Sequence, residues 1–318
     1  MDLAQLAGWT PLRLDFSGPT PAVLWADLSA ERFADPFFDQ TLGRWESGPG
    51  ARPLVRTGLE ALVALDGEPS LEPAGMIFHV LRCGSTLLSR PLGTIPGGGV
   101  VAEPAPLNSL LGLDPEQVDE AALVKAVRLL VRALGRCRHP DEMRLVLKCT
   151  SWNILRRKVL AAAFPETPWI WVQRDPVRVL ASLLAEPPGW LRPQAAPQAA
   201  RLFGIDPASA PEMGRAEFAS RAIGAMLQAA LEPGRRLVID YADLPDAVWT
   251  RVAPNFGFET SPAAIDRMIR QSRFYSKDPA PRPFAGDAAE DRPVTDTMRE
   301  AAGRFAGPAY RALASREL

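Results

Sequence analysis

The sequence predicts an α/β fold, a three-layer sandwich in which helices cover both faces of a central parallel sheet. From about residue 75 onward, short apolar runs alternate with segments whose apolar residues recur at helical spacing. The runs are continuously apolar rather than alternating, as strands buried on both faces are. Each of the polar turns LRCGST, AEP, KCTS and QRDP follows such a run. Four polar turns therefore gather at the carboxyl ends of strands, where parallel sheets bind ligands.

The elements follow in order. Residues 1–70 scatter Trp9, Phe16, Trp25, Phe33, Phe37, Phe38 and Trp45 among prolines and glycines. That apolar content predicts a packed extension ahead of a domain spanning residues 71–318, and its role is not legible. MIFHVL reads as a strand and 85–92 as a helix. GGGVVAE is a glycine turn leading into a second strand. In 119–134 the residues Ala122, Val124, Val127, Leu130, Val131 and Leu134 mark a helix. RLVLK is a strand, and SWNILRRKVLAAAF a helix with Ser151 as N-cap. PWIWVQ is a strand, and DPVRVLASLL a helix with Pro176 in its first turn. The proline-rich stretch near 187–211 predicts stiff loops. A helix around 214–231 and the strand RRLVIDY follow, then helices around 245–256, 261–272 and 293–305.

Composition narrows the function classes. The formal net charge of the 318 residues is −1, so no overall basic field holds nucleic acid or an anionic membrane, and any anion site must be local. No apolar stretch approaches the ~20 residues of a membrane span, and MDLAQLAGWTPLRLDF lacks the pattern of a secretory leader. Cys83, Cys137 and Cys149 stand in no paired metal spacing, and His79 and His139 are the chain's two histidines. A metal-free protein of the reducing cytoplasm is the expectation.

The stretch GMIFHVLRCGSTLLSR, 75–90, carries the sharpest signal. A glycine turn entering a helix offers backbone N–H groups and the positive end of the helix dipole to an anion. Gly84 permits close approach, Ser85 and Thr86 add hydroxyls, and Arg82 adds a charge. A plain strand–helix turn with a capping serine is the competing reading. Two phosphate chemistries fail on spacing. The ATPase loop needs lysine directly after its last glycine, where this chain has Ser85. A cysteine phosphatase loop needs arginine after five intervening residues, whereas six separate Cys83 from Arg90.

What remains, a basic residue two places before glycine and then Ser-Thr-Leu-Leu, resembles the 5′-phosphosulfate loop of sulfotransferases that use 3′-phosphoadenosine 5′-phosphosulfate (PAPS). WIWVQRDPVRVLASLL strengthens the resemblance. In that family an arginine at a strand end and a serine eight residues later hold the 3′-phosphate, and Arg174 and Ser182 match the pattern. A guanidinium forks onto phosphate, and the serine returns to the same side two helical turns on. LVIDYADLPDAVWTRVAPNFGF also resembles the family's late strand and following helix. The similarity runs from about residue 72 to 275 and implies a P-loop NTPase-like sulfotransferase fold.

The resemblance implies site residues as well. Cofactor contacts fall on Arg82, Cys83, Gly84, Ser85, Thr86, Leu87, Arg174 and Ser182, with PAPS as donor and its 3′,5′-bisphosphate PAP as product. Protein-tyrosine and some bacterial members use a glutamate after the second strand as base, which places Glu103 in that role, its pKa expected to be raised by partial burial. A turn-capping or arginine-paired glutamate is the alternative. Lys148 resembles the lysine that stabilises the transferring sulfuryl group, with a snorkelling surface lysine as the alternative. Arg82 should act as a fixed charge rather than an acid. His79 reads as a satisfied core histidine and Cys83 as a small filler. QSRFYSKDPAPRPFAGD is loosely similar to the basic loop that closes over the cofactor, which makes Ser276, Lys277 and Arg282 candidates although the usual Arg-Lys-Gly triplet is absent. The family's aromatic residue after the loop is also missing, so no adenine platform is named. A small-molecule or peptide acceptor is expected, with variable loops, 187–213 and the extension, around it. A kinase-like nucleotide binder and a non-catalytic partner-binding protein stay open as alternatives.

Overall fold

The structure, a computed structural model, describes residues 6, 8–48, 53–191, 196–234, 236–280, 282–283 and 292–315. Near its start three short strands, β1 (Thr10–Asp15), β2 (Ala22–Ala26) and β3 (Val55–Gly58), form an antiparallel sheet in that order. Sequence periodicity does not reveal them, because each is short and their pairing depends on partners distant along the chain. The small sheet is docked by its aromatics. Trp25 is fully buried, and its indole N–H donates to Thr57 Oγ1 at 2.9 Å. The buried Arg136 guanidinium donates to the carbonyls of Leu6 and Trp9, both at 3.1 Å, and lies over the Trp25 ring. The hydrophobic core runs without a break from this sheet into the rest of the chain.

The central sheet comprises β4 (Pro73–His79), β5 (Gly98–Ala102), β6 (Arg144–Lys148), β7 (Trp169–Gln173) and β8 (Arg236–Asp240). All pairings are parallel, in the order β5-β6-β4-β7-β8. Every residue of β7, and nearly every one of β4 and β6, is buried, so both faces are covered by helices. From β4 the chain runs to the edge strand β5, returns to place β6 between the two, and then crosses to β7 and β8 on the other side. β4 therefore sits where the connections change direction, the point at which such sheets bind ligands.

Several predicted elements differ in detail. The helix expected over SWNILRRKVLAAAF is a 3₁₀ segment, Ser151–Arg156, followed by an α-helix, Arg157–Ala163. Its cap position is Thr150 rather than Ser151, because the Asn153 carboxamide oxygen accepts from the Thr150 N–H at 2.8 Å and turns the chain one residue earlier. The stretch near 187–211 is not all loop. Ala196–Leu202 is helical with Pro197 in its first turn, where a missing N–H costs nothing, while 192–195 lie outside the described residues. The segment around 245–256 opens as a π-helical turn, Val248–Val252. A last helix, Gly307–Ala314, goes unpredicted. Among the described residues no helix is long and apolar enough to cross a membrane.

Candidate active site

All five strands of the parallel sheet send a terminal residue or the turn after it to one cavity of about 600 Å³ at their carboxyl edge. The turn after β4 is built by two left-handed residues, Arg82 at φ 57° and Gly84 at φ 82°. Only glycine fits the second. A Cβ there would lie 2.8 Å from the Tyr241 ring and 2.9 Å from Leu244. The turn launches the helix Ser85–Leu92, whose first N–H groups have no intrahelical acceptor. Cys83, Gly84, Ser85, Thr86 and Leu87 border the cavity, Cys83 with no surface exposed to solvent.

Arg174 follows β7 and is buried, its guanidinium 4.0 Å from the centre of the Tyr241 ring. The helix Pro176–Ala185 begins directly after it, capped by the Asp175 carboxylate, which accepts from the Val177 and Arg178 N–H groups. Two turns along, the buried Ser182 borders the same cavity. Its hydroxyl and carbonyl accept from Arg292 Nη1, at 2.5 and 3.1 Å. Arg292 also pairs with Glu186. Glu186 in turn holds Arg82, with Oε2 3.2 Å from Nη1 and its carbonyl accepting from Nη2 at 3.0 Å. One carboxylate thus sits among the cations of the cavity. Burial pushes its pKa up, and the Arg82 and Arg292 guanidiniums outweigh this and hold it below the usual range.

On the far side lies a buried ionic cluster. Glu103 follows β5 with φ 55°, and its N–H donates to the Lys148 carbonyl at 2.7 Å. Arg82 and Glu103 are the two non-glycine residues of positive φ among those described, a conformation that costs an L-residue energy and persists where the surroundings enforce it. Lys148 is fully buried at the end of β6, which excludes the snorkelling alternative. It forms the floor rather than the wall of the cavity. Its ammonium donates to Glu103 Oε1 at 2.7 Å and to Thr86 Oγ1 at 3.1 Å, and lies 4.7 Å from the centre of the Phe37 ring. The Glu103 side chain keeps 24% exposure, open to the cavity. The raised pKa expected for Glu103 is corrected. Burial does push it up, but the Lys148 ammonium and the His79 ring win, and it is held at about 2.

Ser276 and Lys277 border the cavity as well. Burial pulls the Lys277 ammonium down, and the nearby Arg82 charge adds to this. Arg282 is exposed outside it, and residues 281 and 284–291 of the loop proposed to close lie outside the described residues. Sequence reasoning missed Arg292, Glu186, Phe37 and Tyr241 as neighbours of the site. None stands in a pattern that spacing reveals. Phe37 and Arg292 reach the cavity because segments distant along the chain pack there, as when the Gln40 side chain donates to the Lys277 carbonyl at 3.2 Å, whereas Glu186 caps the helix that carries Ser182 and Tyr241 directly follows β8.

No protein family matches the sequence, and no curated protein does. Among solved structures the chain is similar to a sulfotransferase from Mycobacterium avium, 15% identical, over 81% of this chain and 79% of that one, with a TM-score of 0.47. A sulfotransferase from Mycobacterium tuberculosis H37Rv is 16% identical, over 78% and 79%, with a TM-score of 0.44. The sulfotransferase domain of the Synechococcus olefin synthase is 17% identical, over 78% of this chain and 96% of that domain, with a TM-score of 0.40.

Proposed function

We propose that the protein is a PAPS-dependent sulfotransferase acting on a hydroxyl or amine acceptor. The observation that carries the reading is the meeting, in one cavity, of a glycine turn at a helix N-terminus with an Arg–Ser pair and a reachable carboxylate. The sequence separates these pieces widely, and a nucleotide bearing acidic groups at both its 5′ and 3′ ends would need all of them. The residues present fit such a ligand. Arg82 and the Gly84–Thr86 amides and hydroxyls suit the 5′ side, and Arg174, Ser182 and Arg292 the 3′-phosphate, while Ser276 and Lys277 border the same space. PAPS, when bound, supplies an activated sulfuryl group.

The chain's own residues do the rest. Glu103 Oε takes the acceptor's proton, reached through its open side. Lys148 and Arg82 bring fixed positive charge to where negative charge grows, the dominant contribution in transfers of this type. Glu103 at a pKa of about 2 is a weak base while Lys148 donates to it. The base strengthens when Lys148 turns from Glu103 toward the anion, so acid–base and anion-binding functions are coupled through one ammonium. The segment before the parallel sheet supplies Phe37 to this end of the cavity, and residues 71–318 form the transferase unit in this reading.

Thermal unfolding with PAP tests the assignment, with ATP and magnesium as comparator and Arg174→Ala as control. At one hundred times its dissociation constant a ligand adds ~2.7 kcal/mol of stability. A rise in Tm with PAP, lost in the variant, is expected. A rise with ATP alone would move the protein to a kinase-like class, and no rise with either would remove the nucleotide.

A further inference from the structure

His79, the last residue of β4, is 5% exposed and looks like an ordinary satisfied core histidine. Its partners make it something else. Nδ1 lies 3.0 Å from the Val80 carbonyl oxygen and Nε2 lies 2.9 Å from that of Cys149. A carbonyl oxygen only accepts, so both ring nitrogens must carry hydrogen, and a ring with two N–H groups is an imidazolium. A buried cation needs a counter-charge, and Glu103 Oε1 stands 3.6 Å from Nε2.

We propose that His79 is a positioning residue, charged at neutral pH, that holds the Glu103 carboxylate and so leaves Lys148 available to the incoming anion. Charge counting gives the reason. Lys148 and Glu103 alone would form a neutral pair, and drawing the lysine away would strand a buried carboxylate. With His79 the cluster carries two cations and one anion. Lys148, already touching Thr86 in the anion turn, can then turn toward the ligand without leaving Glu103 unpaired. The same histidine ties the end of β4 to the residue after β6, beside the left-handed Glu103. The inference rests on the proposed role of Glu103 and deepens it.

The other groups facing the cluster are few. The Cys83 sulfur lies against the His79 ring, and the Cys149 thiol is pushed far up by burial and by the Glu103 charge. Asp39 and Lys277 act on Glu103 from neighbouring segments. Burial pulls His79 down, but the Cys83 sulfur and the Glu103 carboxylate outweigh it and raise the ring from 6.5 to about 9. A raised histidine stabilises the fold fully below its unfolded value. That contribution is lost as pH climbs from about 6.5 through about 9.

The test is the nitrogen-15 spectrum of the full chain labelled at histidine, followed from pH 5 to 10. The chain has two histidines, so His79→Gln assigns both signals. Expected is a doubly protonated His79 through pH 8, with its midpoint lowered at least tenfold in proton affinity in Glu103→Gln and lowered by less in Cys83→Ser. A single-N–H ring at pH 7 in the parent protein would overturn the proposal. So would a midpoint that falls in Cys83→Ser and not in Glu103→Gln, which makes a thiolate the counter-ion. The functional arm is the pH profile of slow PAPS hydrolysis, with water as acceptor. In His79→Gln the acid limb, set by Glu103, should move up in pH, whereas a structural histidine would lower the rate with the profile unmoved. If the parent protein fails to bind PAP, the sulfotransferase reading falls, while the spectrum still decides the charge on His79.

Discussion

Arg292→Ala probes the part of the site that no sequence pattern indicates. In the structure Arg292 Nη1 donates to the Ser182 hydroxyl at 2.5 Å, beside Arg174 in the same cavity. If this group holds the 3′-phosphate, the variant removes a charge-assisted hydrogen bond, worth about 1.5–3 kcal/mol. At about 1.4 kcal/mol per tenfold in affinity, PAP should bind roughly 10- to 150-fold more weakly. AMP, which lacks the 3′-phosphate, should lose less than about threefold, since its 5′ end meets Arg82 and the Gly84 turn. Stability should hardly change. The ion pair that disappears joins Arg292 to Glu186, whose side chain is 58% exposed, and such pairs contribute about 0–1 kcal/mol. Calorimetric titration of both nucleotides into parent and variant gives the four numbers required. An equal loss for PAP and AMP would refute the reasoning, because Arg292 would then not distinguish the 3′ end. No loss for either would take Arg292 out of the site.

Two further outcomes follow from local geometry. Gly84→Ala places a side chain at φ 82° and within 3 Å of Tyr241 and Leu244. It should cost on the order of 1–2 kcal/mol from the backbone alone, seen as a Tm lower by several degrees, and should abolish nucleotide binding; an unchanged Tm would mean the turn is not held as described. Glu186→Gln removes the carboxylate that occupies Arg82 and Arg292. PAP should then bind several-fold more tightly, with a steeper dependence on salt; weaker binding would make Glu186 an organiser of the arginines rather than a competitor for them.

How far the sequence reached depends on the range of the interactions involved. β4, β6 and β7 were legible because apolar runs flanked by helical patterns report burial on both faces, a property of the run itself. The meeting of Gly84, Arg174 and Ser182 at one cavity was legible because a glycine turn at a helix start and an arginine–serine step of two helical turns are short-range arrangements, written within a few residues. The antiparallel sheet β1–β3 was not, since its register depends on partners brought together from residues 10 to 58. Neither was the state of Glu103. Its spacing suggested a carboxylate losing water, hence a weaker acid. Folding brings Lys148 and His79 against it, and at such short range their charge outweighs the desolvation. The sequence by itself determined a parallel α/β sheet with a glycine turn and a helix start after its central strand. Only the tertiary structure decided which charges stand next to one another. Electrostatic energy depends on distances between side chains, and chain order does not set those until the strands have paired.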